Sequence, residues 1–160
     1  MNSELLAVSG AQSKTLFFTT MKVDHVEDLE VYQLAFLLQQ RVFEVSKHFP
    51  REETYALSDQ MRRAARSIGA NIAEAWAKRH YVAHFRSKLT DADGEKNETL
   101  HWIRTAVACR YIDSQAADSL TSDYAIVGRK LGTMIRDADT WCQPASNRLP
   151  TSTVSLMTQR

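Results

Sequence analysis

The 160-residue sequence holds two cysteines, three prolines and five glycines, and its net charge is only +1. Cys109 and Cys142 are too few for a disulfide framework or a four-thiolate zinc site. Only Pro50 falls between Met1 and Gln143, with Pro144 and Pro150 beyond, so little punctuates the interior and long helices are favoured. The longest apolar run, Leu34 to Leu38, is far short of the roughly 20 residues that cross a bilayer. The first residues carry Glu4 and no sustained apolar stretch, so they fail as a secretory signal. No membrane partner and a cytoplasmic location are expected. Nor does any stretch alternate apolar and polar residues with period two, which leaves a sheet nowhere to start.

What remains is a composition of one soluble domain, 44% apolar and 24% charged. Residues 1–24 and 142–160 are rich in Ser, Thr, Asn and Gln without an apolar period, as poorly ordered tails are. The body is therefore expected at 25–141. Met21 stands directly before it, so the first twenty residues are expected to be an upstream-start extension or a remnant left by cloning.

Within the body, apolar residues recur at helical spacing four times. The first segment carries Val31, Leu34, Leu38, Val42, Val45 and Phe49, and Pro50 turns the chain. The second carries Leu57, Met61, Ala64, Ile68, Ile72 and Ala75, and the third Phe85, Leu89, Ala92, Thr99, Ile103 and Ala106. Asp113 or Ser114 serves as N-cap to a fourth with Leu120, Tyr124, Val127, Leu131, Met134 and Ala138. Short links between long amphipathic helices imply an all-α, antiparallel up-down-up-down four-helix bundle.

Charge is distributed unevenly. From Arg62 to Lys88 there are seven Arg or Lys against Glu74 alone, and from Asp91 to Asp123 seven acids against three bases. Two readings stay open. Arg62, Arg63 and Arg66 pair with Asp91, Glu95 or Glu98, within the bundle or between subunits; or Arg62, Arg63, Arg66, Lys78 and Arg79 form a surface for nucleic-acid phosphates. Asn71 and Glu74 sit mid-helix, where they improve no packing by themselves. A buried polar network joining them to Asp91, Glu95 and Glu98 would fix bundle register or a subunit contact.

Tyr32, Phe36 and Phe43 form a second stripe on the first helix. It either widens the core or is buried against another copy of the chain. Glu98 and His101 make one Glu-x-x-His element, where di-iron bundles need two plus two further glutamates. His80 and His84 are only two ligands. No metal or cofactor is therefore expected, with a di-iron-like bundle as an alternative. Neither cysteine has a placed His and acid partner, so no catalytic residue is named.

Specific residues carry a resemblance as well. They are Leu29-Glu30-Val31-Tyr32-Gln33, then His48-Phe49-Pro50-Arg51-Glu52-Glu53 with Tyr55 and Leu57, then Gln60 to Ala65 and Ser67 to Glu74. They continue through Leu89 to Asp93 with Glu95, Glu98, Thr99 and Trp102, then Tyr111-Ile112, and end near Leu131, Met134 and Ile135. This set resembles the bacterial four-helix bundle family of 23S rRNA intervening-sequence proteins, which includes the accessory protein of diversity-generating retroelements. One departure is Ala75-Trp76-Ala77, where the family turns through glycine. The resemblance implies a barrel-shaped homopentamer with no established catalytic activity. For the retroelement accessory it also implies binding to RNA or DNA and to a reverse transcriptase. The combined expectation is a non-enzymatic, self-associating scaffold with possible nucleic-acid binding. A purely structural oligomer without ligand is the other alternative.

Overall fold

The computed structural model of the protein describes residues 23–142. The tails expected at 1–24 and 142–160 thus lie outside the described residues, apart from Val23, Asp24 and Cys142. Among the described residues there is no strand, and no helix is long and apolar enough to cross a membrane.

A short 3-10 turn, Val26–Asp28, leads into α1, Glu30–Ser46. Its buried positions Val31, Ala35, Leu38, Val42 and Ser46 fall at steps of three and four. The apolar period extends to Phe49, but α1 stops earlier. The amides of Lys47, His48 and Phe49 bond to carbonyls three residues back, each at 3.3 Å. This tightened turn precedes Pro50, whose ring disfavours helical backbone at Phe49. A 3-10 turn, Arg51–Glu53, and one π turn, Thr54–Ser58, then deliver the chain into α2, Asp59–Ala77. Leu57 is buried from the π turn rather than from the helix.

Small residues line the buried face of α2: Ala64, Ala65 and Gly69 beside Met61, Ile68 and Ile72. A Cβ built on Gly69 would meet the Tyr32 ring of α1 at 3.9 Å, an ordinary contact distance. The turn after α2 forms without glycine. Lys78 N–H bonds to the Glu74 and Ala75 carbonyls, Arg79 N–H to that of Trp76, and Tyr81 N–H to that of Lys78. The carbonyls of Glu74, Ala75 and Trp76 in the last turn of the helix thereby gain partners.

Next, α3 runs over Val82–Ala108, 27 residues or about 40 Å, burying Phe85, Leu89, Ala92, Thr99, Ile103 and Ala106. It ends with Arg110 at φ 63°, the one non-glycine positive φ among the described residues. Arg110 N–H bonds to the Val107 carbonyl and Tyr111 N–H to that of Ala106, both at 2.9 Å, which is the double closure of a Schellman turn. The chain then enters α4, Ser114–Arg136, where the Asp113 carboxylate accepts from Ala116 N–H at 2.8 Å as an N-cap. Here Ala117, Leu120, Tyr124, Val127, Leu131 and Met134 are buried, and the short α5, Ala138–Trp141, adds Ala138.

Each long helix packs on two neighbours, in the order α1, α2, α3, α4 and back to α1. This closed antiparallel ring encloses one apolar core. Polar ties cross its seams. Arg41 pairs with Asp123 and donates to Ser119 Oγ at 3.0 Å, while Glu30 pairs with Lys130. At one end the Tyr111 hydroxyl donates to Glu53 at 3.0 Å, and its ring lies 5.7 Å from that of Phe49. Lys96 packs across Gly128, whose added Cβ would come within 2.8 Å of Nζ. Cys109 and Cys142 are free thiols near the end of α3 and just past α5.

Candidate functional site

The shoulder between α1 and α2 gathers cations around one aromatic ring. Lys47 Nζ lies 4.7 Å from the Phe43 centroid, the Arg62 guanidinium carbon 5.0 Å and that of Arg66 5.8 Å. Helical spacing explains the grouping. Phe43 and Lys47 are one turn apart on α1, and Arg62 and Arg66 one turn apart on α2. A buried serine fixes part of it: Ser46 Oγ donates to the Phe43 carbonyl at 2.9 Å and accepts from Arg62 Nε at 2.7 Å. That leaves the Arg62 terminal amines without a hydrogen-bond partner among the described residues. Lys47 pairs with Glu44 at 2.7 Å. Among the described residues neither Arg62, Arg63 nor Arg66 forms an ion pair. Contrary to the expected pairing, no ion pair joins these three to Asp91, Glu95 or Glu98 among the described residues: Lys88 takes Asp91, while the charge of Arg63 acts on Glu95 from a distance, lowering a carboxyl that burial raises.

Lys78 and Arg79 do not join this shoulder. They sit past the far end of α2, about 24 Å from Arg62 along the helix axis. Lys78 reaches Glu74 at 3.8 Å. Arg79 donates from Nη1 to the Trp76 carbonyl at 2.8 Å and lies 4.4 Å over the Trp76 ring, which itself packs edge-on against Trp141. It serves as the missing helix terminator.

The polar network is organised by Lys88, which sequence reasoning passed over. Its ammonium lies 2.9 Å from Glu74, 3.4 Å from Asp91 and 3.4 Å from Asn71 Oδ1, while Asn71 Nδ2 donates to the Ser67 carbonyl at 3.0 Å. The Lys88 hydrogen bond and charge hold the Glu74 carboxyl below its ordinary value, and Glu74 raises Lys88 in return. The network is a correction to the expectation of burial: Glu74 and Asp91 are both exposed. Two of the expected members lie outside it. Glu98 accepts from Trp102 Nε1 at 3.1 Å. Glu95 is pushed up first by burial and then by the neighbouring charge of Glu98. Lys88 was findable, since it precedes Asp91 by three residues.

Of the second aromatic stripe on α1, Tyr32 and Phe43 are half-buried on the side facing α2, and Phe36 is 51% exposed. Leu37, 55% exposed, adds to this outward face and is a residue the stripe did not include. His101 packs edge-on against Trp102 with its ring exposed, and His84 lies beside Tyr81. Among the described residues no three His, Cys, Asp or Glu side chains converge as a metal site would require.

Comparison with known proteins bears on the whole bundle. The family described as 23S rRNA-intervening sequence protein matches residues 27–133. A solved structure of a protein with unknown function, from the S23 ribosomal protein family of Bacteroides thetaiotaomicron, superposes with a TM-score of 0.61 at 29% identity. The match covers 66% of this chain and 95% of that one. No curated protein matches the chain.

Proposed function

The chain belongs to the 23S rRNA-intervening sequence protein family, and from that premise we propose that it is a non-enzymatic, self-associating helical scaffold that holds nucleic acid at the α1–α2 shoulder. The observation that carries this reading is the set of Arg62, Arg66 and Lys47 about Phe43. Two of these cations have no carboxylate partner among the described residues. An Arg fork with free terminal amines matches a phosphate's paired oxygens, and the ring beside it offers a base a stacking face. Each lysine among the described residues pairs with a carboxylate, as Lys88 does with Glu74 and Asp91, whereas Arg62 and Arg66 do not. Arg63, exposed on the same helix, is assigned to the same surface; Lys78 and Arg79 are assigned a secondary part, because both are engaged locally.

Self-association accounts for Phe36 and Leu37, two large apolar side chains a monomer leaves in water. Repeating the shoulder around a ring, five copies by family resemblance, would multiply weak phosphate contacts. The test is fluorescence anisotropy with a structured RNA hairpin and a duplex DNA across a salt series. Arg62→Gln with Arg66→Gln is expected to weaken binding at least ~10-fold and to lower the salt slope by about two per engaged subunit. Unchanged affinity at low salt would refute the shoulder. Light scattering checks the assembly, where Phe36→Ser with Leu37→Ser is expected to yield monomers; a wild-type monomer at micromolar concentration would remove that half of the reading.

A further inference from the structure

A groove of about 850 Å³ lies between the first turns of α1 and the second half of α4. Buried Leu29, Val31 and Met134 line it together with half-buried Ile126 and Trp141. Size and lining are those of small-molecule sites, which set a few polar groups in an apolar interior. Asp28, Glu30, Arg129 and Lys130 line it as well. Formally these four charges cancel, but they are not equally free to meet a ligand. Glu30 pairs with Lys130, which holds the Glu30 carboxyl below its ordinary value. The Asp28 carboxylate accepts from His25 N–H at 2.9 Å and Asp24 N–H at 3.1 Å, and these bonds hold it low too. Both acids therefore stay ionised and are already answered. Arg129, exposed and one turn from Ile126 on α4, has neither a carboxylate nor a hydrogen-bond partner among the described residues. We propose that the groove binds a single-chain amphiphile with a carboxylate head, its tail on Leu29, Val31 and Met134 and its head on the Arg129 fork.

The chemistry of the lining favours such a molecule over a peptide. A polypeptide backbone brings an N–H and a C=O per residue, and each needs a partner once buried. Gln33 and Thr133 are the neutral polar side chains of the lining, and Gln33 Nε2 already donates to the Glu27 carbonyl at 2.7 Å. An alkyl tail makes no such demand and gains from leaving water. At the other end of the molecule, a guanidinium holds a carboxylate through two parallel N–H···O bonds. Length is also suitable, since α4 covers about 12 Å from Ile126 to Met134, along which a tail extends. The groove uses none of the side chains of the α1–α2 shoulder, so the site stands whether or not nucleic acid binds there.

Calorimetry of the full chain with decanoate, decanol and acetate tests the site. Decanoate is expected to bind with one molecule per chain and about 10-fold more tightly than decanol, which lacks the charge-assisted bonds. Acetate, which lacks the tail, should give no heat. Arg129→Gln is expected to weaken decanoate about 10-fold and to leave decanol unchanged; Arg129 is exposed, so the fold does not depend on it. Ile126→Glu should weaken both probes, whereas Arg62→Gln with Arg66→Gln should weaken neither. Hydrogen–deuterium exchange locates the ligand, with decanoate expected to slow exchange at residues 29–33 and 126–134. No binding of decanoate at millimolar concentration overturns the proposal, and so does equal affinity of the wild type and Arg129→Gln. Protection of 126–134 that is present without decanoate and disappears on dilution also overturns it, by assigning the groove to a second copy.

Discussion

Arg110 holds a left-handed backbone, φ 63°, at the position where a Schellman turn ordinarily places glycine. Its side chain is exposed and forms no hydrogen bond or ion pair among the described residues, so the strain has no visible compensation from the side chain itself. An L-residue in this region costs roughly 1–2 kcal/mol. Glycine would relieve that cost but gain unfolded-state freedom, which takes back about 0.4–1 kcal/mol. Arg110→Gly is therefore expected to stabilise the fold by about 1 kcal/mol, a rise in Tm of about 3 °C for a chain of this size. Urea unfolding at fixed protein concentration measures it, with the midpoint moving and the slope constant. Arg110→Ala is the control, because it removes the long side chain and keeps the strained Cβ; it should show no gain. A glycine variant no more stable than the alanine variant would refute the argument. The turn matters because its backbone bonds place Tyr111 against Phe49 and Glu53, locking the α3–α4 corner to the α1–α2 link.

Two further predictions concern the interior and its edge. Tyr124 is fully buried and its hydroxyl is the buried side-chain polar atom among the described residues that lacks a partner; burial also pushes the phenol well above its usual pKa. Tyr124→Phe is expected to leave stability equal or raise it by about 1 kcal/mol in a urea titration, and a loss beyond about 1 kcal/mol would mean the hydroxyl has a partner after all. Glu95 has a carboxyl raised above its ordinary 4.5 by burial and by Glu98. A raised acid destabilises the fold while ionised, and this penalty fades as pH falls through the raised value toward 4.5. Glu95→Gln is thus expected to be more stable than wild type at pH 7 and to lose that advantage in acid; an advantage that persists below pH 4 would contradict the assignment.

The helices were legible because their signal is local. Phe85, Leu89, Ala92, Thr99, Ile103 and Ala106 share one face by spacing alone, and the same six are the buried residues of α3. Leu120 through Met134 did the same for α4. The end of α1 was less legible, since the apolar period runs on to Phe49 while hydrogen bonding has already tightened before Pro50. The turn after α2 carries no glycine or proline to mark it, and its terminator, Arg79, resembled one more surface cation.

The candidate site divides along the same line. Which residues are basic, and which helix carries them, follows from the order of amino acids, because helical periodicity fixes the face each occupies relative to its neighbours on the same helix. Which acid neutralises which base does not follow, since that depends on how two helices are rotated and shifted against each other. Thus Lys88 collects Glu74, Asp91 and Asn71 from two helices, and Arg62 and Arg66 are left to Phe43 of a third. Composition and period determined an all-helical bundle; the packing of side chains across its seams decided where positive charge stays unpaired.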